Sequence, residues 1–80
     1  MKTTTQVAAE IGIPNQNLYY LERKGYIKPR TQQRGDKLFR YYSESEVEKI
    51  RLIWRYFQQG FRYRIAYQKA IRDLDSLRTP

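Results

Sequence analysis

Apolar positions recur along this chain in short stripes, broken by glycine, proline and polar runs. Val7, Ala8 and Ile11 fall on one helical face. Thr3 stands three residues before Gln6, the spacing at which a Thr oxygen accepts a backbone N–H while the Gln side chain reaches back to the cap. The pattern predicts a helix opening at about Thr4 and stopping at Gly12. Pro14 cannot continue a hydrogen-bonded turn, so a second helix begins after Ile13 and runs from about Asn15 to Lys24, with Asn15 or Pro14 at its start and Gly25 as its stop. Two short helices around a turn holding Gly and Pro form a helix-turn-helix unit. Leu18 and Leu21, three apart, must share a core with Val7 and Ile11. That rotation turns Tyr20, Arg23 and, in part, Tyr19 and Lys24 away from the core.

Beyond Gly25 the period changes. Tyr26-Ile27-Lys28-Pro29 reads as an extended segment, because the residue before a proline is pushed out of helical geometry. Thr31 to Lys37 is polar, and Leu38 to Tyr42 is rich in aromatic strand formers, with Gly35-Asp36 as the turn between two short strands. A basic, polar loop between short strands has the form of a wing. Ser43 and Glu46 repeat the capping-box spacing and open a helix over about Glu44 to Gln59, whose stripe is Val47, Ile50, Ile53, Trp54 and Phe57, all assigned to the core. Gly60 ends it. A fourth helix, about Tyr63 to Leu77, carries Ile65, Ala66, Ala70, Ile71, Leu74 and Leu77. The expected fold is mainly α with a small β wing, about four helices and a two-stranded hairpin, in one domain over residues 1–77 with 78–80 as a tail.

Composition narrows what such a domain can do. At 80 residues there is little room for an internal cleft, and the absence of Cys and His removes disulfides, thiolate metal sites and the commonest general base. The eight Asp and Glu do not cluster at metal-ligand spacing and no Gly-rich phosphate loop occurs, so neither an enzyme nor a cofactor is expected. No apolar run is long enough to span a membrane and the start lacks a secretory signal, which predicts a cytoplasmic protein. Sixteen Lys and Arg against eight acids give a net charge of +8, and the pI is near 10.0. That is the footprint of a polyanion binder. Seven of the cations (Arg23, Lys24, Lys28, Arg30, Arg34, Lys37, Arg40) lie between Arg23 and Arg40, against Asp36 alone.

The order of parts resembles the DNA-binding domain of the MerR family of winged-helix transcription regulators. The residues that carry the resemblance are QVAAEIGIPNQNLYYLERKGYIKPR, Gln6 to Arg30, and FRYYSESEVEKIRLIWRYFQQGF, Phe39 to Phe61. The family's usual text is a V-A-x-x-x-G-(V/I) helix, an L-R-Y-Y-(E/D) helix, a basic stretch ending in K-P, a wing closing in Y-R-x-Y-S, and an acidic helix ending in G-(F/Y). This chain has Leu18-Tyr19-Tyr20-Leu21 where Leu-Arg-Tyr-Tyr is usual, so Tyr19 occupies the arginine's place. After Gly60-Phe61 it continues with the basic, aromatic Arg62-Tyr63-Arg64. The family's long dimerisation helix and effector domain have no counterpart in these residues, which implies an excised domain or a stand-alone binder.

The resemblance implies double-stranded DNA, a promoter or operator, as partner, bound near the nucleoid by a homodimer that distorts the duplex. The homodimer would belong to a longer parent chain. Helix-turn-helix proteins present the start of their second helix to the major groove, and Gln16 and Asn17 stand at that position, where they can pair with adenine's exposed edge. Tyr19, Tyr20 and Arg23 can reach phosphates from the helix rim. Arg34, Lys37 and Arg40 belong to the wing, Arg40 matching the family's wing arginine, and Arg62, Tyr63 and Arg64 correspond to a second phosphate clamp. Two rivals share the basic surface. One is an excisionase-like or architectural DNA binder with the same fold, and the other is an RNA-binding module that stacks bases on tyrosines.

Overall fold

The structure is a computed structural model that describes residues 1–78, with side chains through residue 76. Its elements run β1 (Lys2–Thr3), α1 (Thr4–Ile11), α2 (Asn15–Arg23), β2 (Arg30–Arg34), β3 (Lys37–Tyr42), α3 (Glu44–Gln58) and α4 (Tyr63–Arg78). The backbone divides into two compact units, Met1–Val47 and Glu48–Pro80. Residues 79 and 80, and the side chain of Leu77 expected on the α4 stripe, lie outside what is described.

In the first unit the expected chemistry of the helix ends is in place. Thr3 accepts from the Gln6 backbone N–H at 3.3 Å while the Gln6 side chain accepts from the Thr3 N–H at 2.9 Å, closing the capping box of α1. Gly12 ends the helix at φ 82°, where its N–H donates to the Ala8 carbonyl. Pro14 is the N-cap of α2, its carbonyl accepting from Asn17 and Leu18 at 3.0 and 3.3 Å, and no side chain caps that end. Asn15 is therefore the first helical residue and not the cap. Leu18 and Leu21 are fully buried with Val7, Ile13, Ile27 and Tyr42, whereas Ile11 is half-buried.

The wing forms as β2 and β3, antiparallel from Arg30↔Tyr41 to Arg34↔Lys37, around the two-residue loop Gly35-Asp36. Gly35 has φ 63° and among the described residues no non-glycine residue has positive φ, the combination of a type II′ turn, whose twist matches that of the strands. A third strand joins the expected hairpin. β1 pairs with β3 through Lys2↔Tyr42 and Thr3↔Tyr41, giving a sheet of order β1-β3-β2. Two residues are too few to show the alternation that marks a strand in sequence. The pairing ties the chain's start to the base of the wing, and Lys2 also forms an ion pair with Glu10 of α1.

At the start of α3 the Ser43 hydroxyl accepts from the Glu46 N–H at 3.3 Å, one of the two bonds of the expected capping box. The Glu46 carboxylate accepts from the Lys28 backbone N–H at 3.1 Å, which pins the extended segment before Pro29. In the second unit Ile50, Ile53, Ala66 and Ala70 are buried. Trp54 and Phe57, assigned to the core from their spacing, are only half-buried. They build a stack instead: Trp54 lies 5.6 Å from Phe57, and Phe57 lies 4.0 Å from Tyr63 with planes 5° apart. Large rings near the end of a helix keep an edge in solvent while their faces cover one another.

Candidate nucleic-acid interface

The buried positions of α2 decide what the helix presents. With Leu18 and Leu21 inward, Gln16, Tyr19, Arg23 and Lys24 are exposed, and Asn17, Tyr20 and Glu22 are half-buried. Tyr20 lies beneath two cations, the Arg23 guanidinium at 5.9 Å and the Lys24 ammonium at 5.8 Å from its ring centre. Such contacts hold positive charge at a surface without neutralising it.

Strand register divides the wing into two faces, since residues alternate along a strand and directly paired residues share a side. Arg40 shares a face with its partner Thr31 and with Leu38, Gln33 and the buried Tyr42. Arg30, Gln32, Arg34, Lys37, Phe39 and Tyr41 occupy the other. The three predicted wing cations are therefore split, with Arg34 and Lys37 paired beside the turn and Arg40 on the opposite side. Arg34 donates to Gln32 Oε1 at 3.2 Å and lies 5.7 Å from the Phe39 ring centre. Every residue of β2 is exposed.

Arg40 is joined to α2. Its Nε donates to Glu22 Oε1 at 2.6 Å, and its guanidinium lies 4.9 Å from the ring centre of Tyr19. The hydrogen bond Arg40 donates to Glu22 holds the Arg40 pKa above the ordinary arginine value. Both side chains of the pair keep access to solvent, at 24% for Arg40 and 27% for Glu22. Tyr19, which is 43% exposed, thus supports the wing's arginine. Sequence reasoning missed Glu22, because its partner is 18 residues away and no periodicity links them. It also left out Arg30 and Gln32, which register places on the same face as Arg34 and Lys37.

In the second unit Arg62 and Arg64 are exposed at the start of α4, whose first turn contains no acid, and Tyr63 is half-buried in its stack on Phe57. Farther along, the Lys69 ammonium lies 4.7 Å from the Phe61 ring centre and 5.7 Å from that of Tyr56. The Tyr56 hydroxyl donates to Asp73, whose carboxylate raises its pKa. Among the described residues no group of His, Cys, Asp and Glu is placed to hold a metal ion, and no helix is long and apolar enough to cross a membrane.

The MerR HTH family of regulatory proteins matches residues 2–67, a span that takes in the helix-turn-helix, the wing, α3 and the first turn of α4. The chain belongs to the MerR helix-turn-helix family. Comparison with curated proteins found no match. Membership makes this a DNA-binding domain of transcription regulation in a family of regulators and not of enzymes. Four helices and a small antiparallel sheet are the winged form of that fold.

Proposed function

We propose that this MerR-family domain reads duplex DNA by sequence, with α2 in the major groove and the 30–42 wing on the backbone or minor groove. Gln16 and Asn17 contact base edges. Tyr19, Tyr20, Arg23, Arg34, Lys37 and Arg40 engage phosphates and sugars, and Arg62, Tyr63 and Arg64 form a second clamp at the start of α4, where the helix dipole also favours an anion. The observation that carries this reading is the pairing of the exposed Gln16 and half-buried Asn17 in the polar first turn of α2 with a basic wing joined to the same helix through Arg40. Gln16 stands outward because Leu18 and Leu21 are fixed inward. A homodimer in a longer parent chain would place two such units on a near-palindromic site.

One observation favours a second reading. Phe39 is 38% exposed on the wing face that also holds Arg30, Arg34 and Lys37, and an aromatic on a basic sheet face is a stacking platform for single strands. Fluorescence anisotropy on a random duplex, its separate strand and the equivalent RNA over a series of salt concentrations distinguishes the two. The duplex reading expects tightest binding to duplex, with log affinity falling by roughly 0.9 per phosphate contact for each decade of salt. Equal or tighter binding to single strands or RNA would transfer the function to the Phe39 face.

A further inference from the structure

The duplex reading above treats Arg40 as a wing cation, but the geometry gives it an acidic neighbour. A carboxylate on a DNA-facing surface normally repels phosphate, so Glu22, on the recognition helix, is at first sight misplaced. Its surroundings give it a use. The Arg40 Nε is taken by Glu22 and the guanidinium plane is supported by Tyr19, while both Nη groups have no hydrogen-bond partner among the described residues. An arginine held by its Nε keeps the Nη edge of its planar fork available to a second oxygen acceptor. Held on two sides, the side chain has little rotamer freedom left to lose when it meets a phosphate.

We infer that Glu22 is a positioning residue for DNA binding: through its hydrogen bond to Arg40 it clamps the wing arginine onto α2, so that helix and wing present one preorganised phosphate site with Tyr19 as its floor. The inference rests on the duplex reading and adds to it a residue whose charge is opposite to that of the surface. Its consequence is a reversal of sign. Simple electrostatics says that removing an acid from a cationic surface tightens DNA binding, whereas loss of the clamp weakens it.

The test is a double-mutant cycle on duplex affinity, with Glu22→Gln made in the wild-type chain and in Arg40→Ala. Glutamine keeps the shape and removes the charge. In the wild-type background Glu22→Gln should weaken binding about fivefold, in line with the strength of a charge-assisted hydrogen bond. In the Arg40→Ala background, where only the repulsion from Glu22 is left, the same change should tighten binding by about twofold. Tighter or unchanged binding of Glu22→Gln in the wild-type background overturns the inference. Equal weakening in both backgrounds also overturns it, since Glu22 would then act through the fold and not through Arg40. If the wild-type chain shows no preference for duplex over single strand, it is the duplex reading that falls, and the cycle is not what reveals it.

Discussion

Arg40→Ala is expected to lower duplex affinity by about tenfold or more at low salt, the largest single loss of any wing cation. Two effects add. On the proposed reading the alanine removes a guanidinium that would neutralise a phosphate, and it leaves the Glu22 carboxylate, paired at 2.6 Å in the intact protein, without that partner. The first effect should reduce the slope of log affinity on log salt by about 0.9. Arg34→Ala and Lys37→Ala, at the turn and on the other face of the wing, should each reduce the slope similarly but cost less affinity, because neither leaves an acid unmasked. Arg40→Lys should recover only part of the loss, since an ammonium cannot serve Glu22 and a phosphate with the same rigid fork. Anisotropy titrations over a range of salt measure all four variants. A slope unchanged in Arg40→Ala would mean that the wing arginine is a structural ion pair alone.

Tyr42→Ala is expected to destabilise the fold by about 3 to 5 kcal/mol, the usual cost of truncating a buried aromatic. Against the roughly 5 to 15 kcal/mol that holds a small domain together, such a loss leaves a large unfolded fraction at moderate temperature. Tyr42 is fully buried where β1 meets β3, and its hydroxyl accepts from Thr4 at 3.5 Å. Tyr42→Phe keeps the ring and gives up only that long hydrogen bond, so it should be nearly neutral at pH 7. The wild type and Tyr42→Phe separate in alkali. Burial pushes the Tyr42 phenol's pKa up from 10.0. Below about pH 10 the phenol is neutral in both states; above it the unfolded chain ionises first, and stability falls as pH rises through the folded pKa. Tyr42→Phe removes that contribution. Thermal unfolding by circular dichroism between pH 7 and 11 should show the wild type losing more stability than the phenylalanine variant, and parallel curves would mean that the hydroxyl is not desolvated.

What could be read from the sequence was mostly what short-range chemistry decides. Thr3 and Gln6, Gly12, the Gly35-Asp36 turn, Ser43 and Gly60 each act within a few residues, and the element ends fall where they indicate. The inward turn of Leu18 and Leu21 was also legible, and with it the outward face of α2. Features that depend on distant partners were not. β1 exists only because β3 offers it an edge, and the Arg40–Glu22 pair joins a strand to a helix 18 residues earlier. Trp54 and Phe57 show the limit of periodicity itself: it fixes which way a residue faces, but whether anything covers it there depends on where the helix ends. For the same reason a count of wing cations could not say that register would divide them between two faces.

Base reading by α2 is tested most directly by selection from a randomised duplex library followed by binding to the enriched sequence. The wild-type domain should enrich a defined half-site, and Gln16→Ala and Asn17→Ala should each relax preference at one base position by about 1 to 3 kcal/mol while leaving the salt slope unchanged. The absence of any enriched site, or an enriched site equally preferred by both variants, would contradict the account and leave α2 as a helix that touches only the DNA backbone.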